Sequence, residues 1–251
     1  MISVVNLTKS FDKRLAVDHV DLEVANELFI FLGPNGAGKT TTIKMITGLL
    51  RPDEGEVVLG GIHLLQKPVE AKRQFGYAPE QPNLYEKLTA TEFIDFIMSV
   101  YNTPYESGRV RMQQLFEIFE IADRANDLIE DLSHGMKKKV SLIAALIHQP
   151  KILFLDEPTV ALDPKAARNL KDILFGLIKK NVTVFMTTHI LQVAETMCDR
   201  IGIINKGKLC AIGSLAELRQ QHGEHLSLED LFLKLTGEPY TSKIDEFLRT
   251  S

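Results

Sequence analysis

The N-terminal third of the chain carries short apolar runs whose spacing is typical of β-strands. Residues 2–7 and the alternating run 20–24 predict two strands, and the unbroken apolar run 29–32 predicts a buried strand. Residues 56–59 and 62–65 are joined by two glycines and predict a hairpin. We therefore expect antiparallel strands that lead into a mixed sheet.

The middle of the chain, from about residue 89 to residue 145, has the periodicity of helices. Apolar residues recur every three or four positions in 91–98 and in 110–121. The longest apolar run, 140–147, predicts a buried helix and is far shorter than the roughly 18 residues that span a bilayer. This block predicts a helical insertion between strands.

The second half of the chain alternates strands with helices, which is the pattern of a parallel sheet. The runs 151–156, 182–187 and 201–204 predict the strands. Ser214 and Ser227 are each followed three residues later by an acidic residue, and this capping-box pattern predicts two short helices. The expected fold class is α/β, with an N-terminal antiparallel β part and an inserted α-helical part.

Residues 33–40, between the strand 29–32 and a helix predicted for 41–50, match the phosphate-binding pattern G-x-x-x-x-G-K-[ST]. Glycines allow backbone N–H groups to converge on a polyphosphate, and the following helix directs its N-terminus at the anion. The lysine brings positive charge to the β- and γ-phosphates, and the next hydroxyl ligates Mg²⁺. The predicted nucleotide-binding residues are Gly33, Pro34, Asn35, Gly36, Ala37, Gly38, Lys39, Thr40 and Thr41.

Three chemical groups follow predicted strands. We predict that Asp156 binds Mg²⁺ together with Thr40, and that the adjacent Glu157 orients and deprotonates the attacking water. His189 ends another strand, and carboxyl ends of parallel strands meet at one edge of a sheet, so we expect His189 to contact the γ-phosphate there. The alternative is structural: a surface loop for the carboxylates and a packing role for the histidine.

A second anion-binding pattern lies at residues 132–139. Ser133 is a good N-cap and Gly135 permits close approach to the N-terminus of the helix that follows. Capping alone also explains the serine and the glycine, and a solvated helix face explains the lysine run 137–139. Since the phosphate loop already supplies an anion site, a second one requires its own reason.

Charge and cysteine content narrow the class of protein. The formal net charge of the 251-residue chain is −4, which argues against a nucleic-acid surface. Its two cysteines form no C-x-x-C pair, and the first residues lack the layout of a signal peptide. These features predict a soluble protein of the reducing cytoplasm.

These motifs occur together in the order and spacing of a known family. The phosphate loop, residues 132–136, the strand 152–157 and His189 give the chain a resemblance, over essentially its whole length, to the ATP-binding subunit of ABC transporters. The resemblance implies that two such domains pack head to tail with two ATP molecules between them. Each nucleotide is then held by the phosphate loop of one subunit and by Ser133 and Gly135 of the other.

The resemblance also implies a domain layout. One ABC ATPase domain covers 1–251, with a phosphate-loop (RecA-like) α/β core and its antiparallel part in 1–80 and 146–212. A helical subdomain covers 81–145, and C-terminal helices cover 213–251.

Further site residues come from the same resemblance. Asp163 maps onto the loop at the dimer seam, and Phe11 maps onto the aromatic residue that stacks on adenine, with core packing as the alternative for Phe11. The glutamine that links Mg²⁺ and water to the transmembrane partner aligns with Glu80, beside Gln81. Because a carboxylate still ligates Mg²⁺, Glu80 is the preferred residue and Gln81 the second choice.

The signature segment departs from the family's usual Leu-Ser-Gly-Gly-Gln, because His134 and Met136 replace its third and fifth residues. Methionine cannot make the polar contact of a glutamine. We therefore expect this segment to lack that contact to the nucleotide of the other subunit.

The function that the resemblance implies is ATP hydrolysis, with Mg²⁺, that drives transport through separate membrane subunits. Segments 79–85, 133–136 and 227–232 resemble bacterial drug, lantibiotic and multidrug exporter ATPases, which favours export over import. The expected partners are a second copy or a paralogous ATPase subunit and integral membrane permease subunits, with no nucleic acid, at the cytoplasmic face of the cell membrane. The alternatives are a soluble ABC-type ATPase not tied to transport and a nucleotide-gated binding module with negligible hydrolysis.

Overall fold

Two β-sheets organise the chain. The computed structural model describes residues 1–12, 14–223 and 225–237. The strands are β1 (Ile2–Phe11), β2 (Arg14–Val24), β3 (Leu28–Leu32), β4 (Glu54–Leu59), β5 (Ile62–His63), β6 (Phe75–Ala78), β7 (Ile152–Asp156), β8 (Thr183–Thr188), β9 (Arg200–Asn205) and β10 (Lys208–Gly213). The α-helices are α1 (Lys39–Ile46), α2 (Pro68–Lys72), α3 (Ala90–Val100), α4 (Tyr105–Ile118), α5 (His134–Leu146), α6 (Pro164–Ile178), α7 (Leu191–Met197), α8 (Leu215–His222) and α9 (Leu228–Thr236).

The larger sheet has the order β10-β9-β3-β8-β7-β6, and its strands are parallel except β10, which pairs antiparallel with β9. Parallel strands end at a common edge, which is where ligands bind in open α/β sheets. Asp156 pairs with Thr187, and Leu32 pairs with Thr188. The phosphate loop, the two carboxylates and His189 therefore begin at neighbouring strand ends.

The smaller sheet is antiparallel and has the order β2-β1-β4-β5. Ile2 of its central strand pairs with Val24 on one side and Leu59 on the other. The buried side chains of β1, β2 and β4 form one apolar core with α1 and one face of the larger sheet. Removing this apolar surface from water holds the two sheets together.

Strand β3 lies between two apolar cores because its side chains alternate. Leu28, Ile30 and Leu32 belong to the core on the helical side, whereas Phe29 and Phe31 belong to the core under the smaller sheet. A strand that is buried on both faces has a continuous apolar sequence, which is the pattern of residues 29–32. The packing fixes the strand that carries the phosphate loop.

The structure confirms the predicted fold class: an α/β phosphate-loop core of RecA type, an antiparallel β part and inserted helices. The predicted bounds of helix α1, 41–50, are wrong at both ends. The helix begins at Lys39 and ends at Ile46, because Gly48 adopts φ +67° and the Leu49 N–H donates to the Lys44 carbonyl at 2.8 Å, which closes the helix.

Other elements differ in length or were not predicted. The second hairpin strand contains only Ile62–His63. The elements β6, β10 and α2 are absent from the sequence-based prediction, and the helices predicted between the strands of the second half have their bounds defined here as α6 and α7.

The domain division stays a prediction. Helix α5 crosses its boundary at 145/146 and packs closely on β6, where a Cβ atom on Gly76 would lie 1.9 Å from the Ala145 carbonyl oxygen. The two predicted C-terminal helices exist as α8 and α9. Residues 238–251 of that part lie outside the described residues.

Candidate nucleotide-binding site

The loop between β3 and α1 requires glycine at two positions for steric reasons. Gly38, the residue before α1, adopts φ +108°, and a Cβ atom there would lie 2.5 Å from the Ala16 carbonyl oxygen. A Cβ atom on Gly33 would lie 2.5 Å from the Ile204 carbonyl oxygen. Because Gly38 provides no capping side chain, the first-turn N–H groups of α1 are left for an anion.

Lys39 is buried, and its ammonium group folds back over the loop. It donates hydrogen bonds to the carbonyl oxygens of Gly33 at 2.7 Å and Pro34 at 3.2 Å. It also lies 3.5 Å from Oε1 of Glu157. The positive charge is therefore held where a phosphate group would enter.

A polar cavity of about 360 Å³ lies over this loop, within the usual size range of a small-molecule site. Its lining residues are Ala16, Pro34, Asn35, Gly36, Gly38, Lys39, Thr40, Thr41, Glu80 and Glu157. Two predicted residues of the loop, Gly33 and Ala37, are buried beneath it instead. The Ala37 carbonyl accepts a hydrogen bond from the Gly207 N–H at 2.9 Å, which anchors the loop to the β9–β10 turn.

Asp156 is buried at the end of β7. Its Oδ1 atom accepts a hydrogen bond from the Thr187 hydroxyl, while its Oδ2 atom has no hydrogen-bond partner among the described residues. Burial raises the pKa of Asp156, the hydrogen bond from Thr187 partly opposes this rise, and the nearby charges of Glu80 and Glu157 add to it. A buried carboxylate oxygen without a partner fits a cation.

A second cavity of about 260 Å³ joins the residues predicted for Mg²⁺: Thr40, Asp156 and Glu80 line it, together with Gln81. Hydroxyl and carboxylate oxygens are ligands that Mg²⁺ prefers, so these residues fit the ion. Glu80 lines both cavities, whereas Gln81 lines only the second. Among the described residues no cluster of three His, Cys, Asp or Glu side chains has the geometry of a metal site, so phosphate and water oxygens would complete the shell.

Glu157 and His189 form a bonded pair. Nδ1 of His189 lies 2.9 Å from Oε1 of Glu157, while Oε2 of Glu157 has no hydrogen-bond partner in the described part of the chain. The backbone of Glu157 adopts φ +45°, which is uncommon for a residue other than glycine. Its N–H donates to both the carbonyl and the hydroxyl oxygen of Thr187, at 3.2 and 3.1 Å, and this fixes the turn.

The predicted signature segment lies outside both cavities. Ser133 is the N-cap of α5, and its Oγ accepts a hydrogen bond from the Met136 N–H at 3.3 Å. Ser133 and His134 are exposed, and Gly135 is half-buried. A Cβ atom on Gly135 would lie 2.8 Å from the Ala161 carbonyl oxygen, so the start of α5 is packed against the loop before α6.

Asp163 ties that loop to α5. Its Oδ1 caps α6 by accepting a hydrogen bond from the Ala166 N–H at 2.8 Å, and its Oδ2 lies 2.7 Å from Nζ of Lys139. The hydrogen bond from the Lys139 ammonium lowers the pKa of Asp163. Within one chain, Ser133, Gly135 and Asp163 thus form a group separate from the phosphate loop.

Phe11 is 48% exposed at the end of β1, and Nζ of Lys9 lies 5.7 Å from its ring centroid. Core packing, the alternative to adenine stacking, is therefore wrong for this residue. Phe11 is not among the residues that line the phosphate cavity.

Sequence reasoning missed Ala16, Thr187 and Lys138. Lys138 is fully buried, and burial lowers its pKa to about 8. The alternative reading of 137–139 as a solvated face is wrong for Lys138 and Lys139, both of which are buried. One available signal was spacing, since Lys138 lies four residues before Leu142 on the apolar side of α5.

The fold and the site define a phosphate-loop ATPase, and comparison with known proteins gives its family. Residues 17–160, more than half of the chain, match the family described as ABC transporter. The chain is 36% identical over 224 residues to the linearmycin resistance ATP-binding protein LnrL of Bacillus subtilis, covering 89% of this chain and 72% of that protein. The chain belongs to the ABC transporter family.

Solved structures agree with this assignment. A structure described as the ATP-binding subunit of an ABC transporter has a TM-score of 0.90 and 33% identity, covering 94% of this chain and 99% of that one. A dimeric post-hydrolysis state of the ATP-binding cassette MJ0796, bound to ADP and Pi, has a TM-score of 0.78 and 28% identity, covering 86% and 99%. The protein is an ATP-binding subunit of the ABC type and an ATP hydrolase.

Membrane-spanning segments were sought in the same residues. No helix in 1–12, 14–223 or 225–237 combines the length and the apolar character needed to cross a bilayer.

Proposed function

We propose that this protein powers an exporter and works as a head-to-tail pair closed around two ATP molecules. Its partner in the pair is a second copy or a paralogous ATPase subunit. The observation that carries this proposal is the separation of two anion-binding elements in one chain. The phosphate loop has its own cavity, whereas the exposed start of α5 at Ser133 does not line it.

In this proposal ATP binds in the cavity over the phosphate loop. The ammonium of Lys39 exchanges its hydrogen bonds with loop carbonyls for bonds to phosphate oxygens, and the first-turn N–H groups of α1 complete the cradle. Thr40, Asp156 and Glu80 would hold Mg²⁺. That ion, when bound, neutralises charge on the β- and γ-phosphates during hydrolysis. The adenine stacks on exposed Phe11.

Hydrolysis depends on the pair formed by Glu157 and His189. Glu157 takes a proton from the attacking water, and its hydrogen bond to His189 holds the carboxylate in one orientation. His189 is 43% exposed, so its free ring nitrogen can reach the γ-phosphate. Nζ of Lys39 lies 3.5 Å from Oε1 of Glu157, so nucleotide binding would draw this ammonium away from the Glu157 side chain and towards the phosphates.

The second nucleotide contact comes from the other subunit. The Ser133 hydroxyl and the helix N-terminus at Gly135 approach the γ-phosphate, and Asp163 sits beside them at the seam. His134 and Met136 stand where the family usually has glycine and glutamine, so these contacts rest on Ser133 and on backbone N–H groups. Hydrolysis then removes the charge that holds the two halves together.

The permease subunits bind beside the Mg²⁺ cavity. An apolar groove of about 280 Å³ lies between the end of α1, β6, α3 and α5, and it shares Tyr77, Pro79 and Asn83 with that cavity. Tyr85 and Phe96 are exposed at the same place, with ring centroids 5.5 Å apart. Such a patch fits a membrane partner that holds the protein at the cytoplasmic face. The name of the linearmycin-resistance relative favours export.

A combined purification and activity experiment tests the proposal. The full chain, expressed with an affinity tag in its own organism, is expected to co-purify from detergent-solubilised membranes with a polypeptide that has long apolar segments. In proteoliposomes this complex is expected to release phosphate from ATP with Mg²⁺. Recovery of an active enzyme only from the soluble fraction would instead favour a soluble ABC-type ATPase. Nucleotide binding without phosphate release from the complex would favour a binding module.

A further inference from the structure

A buried lysine joins the two carboxylate loops of the site to helix α5. Lys138 has no exposed surface, and its ammonium donates to three backbone carbonyl oxygens. These belong to Pro79 at 2.9 Å, Glu80 at 3.0 Å and Asp156 at 3.2 Å. An ammonium group has three N–H donors, so the three bonds use them all.

The acceptors have a common relation to the site. Glu80 and Asp156 are the two carboxylates assigned above to Mg²⁺, and they belong to different segments, the loop after β6 and the end of β7. Lys138 reaches both from α5, five residues after Ser133. One side chain therefore connects both carboxylate segments to the helix that begins at the signature segment.

Burying a charged group to connect three carbonyl oxygens costs free energy. A buried ammonium loses its hydration, and this cost is recovered only through hydrogen bonds and nearby charges. The acidic side chains of Asp156, Glu80 and Glu157 supply that negative charge. The same arrangement offsets repulsion between carboxylates that must stay close together before a cation binds.

We propose that Lys138 is a positioning residue for Mg²⁺. It holds the loop of Glu80 and the end of β7 at one spacing, and it passes any movement of the start of α5 to both carboxylates. This inference rests on the proposed function, because Glu80 and Asp156 must be the Mg²⁺ residues.

Three substitutions separate charge, hydrogen bonding and shape. Lys138→Arg keeps the charge, Lys138→Gln keeps one donor group, and Lys138→Met keeps only the length. The matched control is Lys137→Met, on the same helix, whose ammonium lies 3.0 Å from the exposed Glu86 and makes no other ion pair in the described part of the chain. Each protein is tested for binding of a fluorescent ATP analogue in EDTA and during a Mg²⁺ titration. Amide hydrogen exchange of residues 78–82 is measured without metal.

The proposal predicts a selective loss. Lys138→Met should bind the analogue normally in EDTA, need about 10–100-fold more Mg²⁺ for half-maximal effect, and exchange the amides of 78–82 faster. Lys138→Gln should be intermediate, Lys138→Arg should recover part of the response, and Lys137→Met should match the wild type.

Two results would overturn the proposal: a wild-type Mg²⁺ response in Lys138→Gln, or an equal loss of nucleotide binding with and without Mg²⁺. If Lys138→Met does not fold, the Mg²⁺ titration and the amide exchange of Lys138→Gln decide whether the proposal holds. Failure of the proposed function is recognised separately in the wild-type protein: either no permease co-purifies with it, or its membrane complex releases no phosphate from ATP, whatever the Lys138 variants do.

Discussion

The phosphate loop and the start of α5 are both helix N-termini that can bind an anion, yet they are built differently. Around the loop, Lys39 is buried and contacts two carbonyls and Glu157. At α5, Ser133 and His134 are exposed. Lys139 of the same helix forms an ion pair with Asp163 of the same chain. The first element is enclosed within this chain, whereas the second is exposed and, in the proposed pair, would complete the nucleotide site of the other chain.

This difference shows how a binding site that two chains share can be recognised from the structure of a single chain. A site that works alone encloses its charges, because an enclosed charge interacts more strongly with a bound phosphate. An element that contacts another molecule has to stay exposed, so its geometry must be fixed by contacts on its buried side. The Gly135–Ala161 contact and the Lys139–Asp163 ion pair provide that fixation.

The largest expected effect concerns the enclosed half. Glu157→Gln removes the group that accepts the proton from water, so we expect turnover to fall about 10²–10⁴-fold. ATP binding should persist, because Lys39 and the loop are unchanged. Phosphate release and nucleotide titration measure the two properties. A variant that keeps near-normal turnover would remove Glu157 from the role of base, and Glu56→Gln, at an exposed position of β4, is the control.

The sequence could predict this half because its chemistry is local. The loop pattern, Asp156, Glu157 and His189 each follow an apolar strand, and parallel strands bring their ends together. The same rule yields the fold class. It does not yield the end of α1, which depends on a single glycine turn at Gly48.

Other parts depend on tertiary contacts that no local pattern encodes. The three hydrogen bonds of Lys138 require that α5 lie next to the loop after β6 and the end of β7. The accepting carbonyls lie 59, 58 and 18 positions away in sequence. A lysine inside an amphipathic helix reads as surface until that packing is known. The exposure of Phe11 likewise follows from its place at the end of β1.

The next largest effect compares two serines that cap helix N-termini, one at the exposed start of α5 and one at the start of α8. Ser133→Ala and Ser214→Ala each remove a serine Oγ that accepts an N–H at 3.3 Å at a helix start. Both should lower the free energy of unfolding by about 1 kcal/mol. Only Ser133→Ala should also lower turnover, about 10–100-fold, because it loses a bond to the phosphate of the partner's nucleotide. Equal turnover in the two variants would make Ser133 a cap and nothing more.

A smaller effect is expected at the residues that are predicted to hold Mg²⁺ beside the phosphate loop. Glu80→Ala should raise the Mg²⁺ concentration for half-maximal hydrolysis by about tenfold. Gln81→Ala should have a smaller effect, since Gln81 lines only one of the two cavities. Mg²⁺ titrations of both variants measure this, and a larger effect of Gln81→Ala would reverse the assignment.

The smallest expected effect lies at the rim of the enclosed half. Phe11→Ala should weaken ATP binding by about fivefold to tenfold, because stacking of a base on this exposed ring should contribute at the lower end of the usual range of about 1–3 kcal/mol. Leu15→Ala is the control, since Leu15 is equally exposed, at 48%, on the neighbouring strand. Equilibrium titration with ATP and with tripolyphosphate separates base stacking from phosphate binding. An equal loss for both ligands would argue against adenine stacking.

The most direct test of the central claim is the mass of Glu157→Gln in solution with and without ATP, measured by light scattering. The account predicts a 28.2 kDa species without nucleotide or with ADP, and twice that mass with ATP and Mg²⁺. The double variant with Glu157→Gln and Ser133→Arg should keep the mass of one chain even with ATP and Mg²⁺. If Glu157→Gln binds ATP yet stays at the mass of one chain, alone and mixed with the paralogous subunit of its transporter, the claim that ATP joins two chains is contradicted.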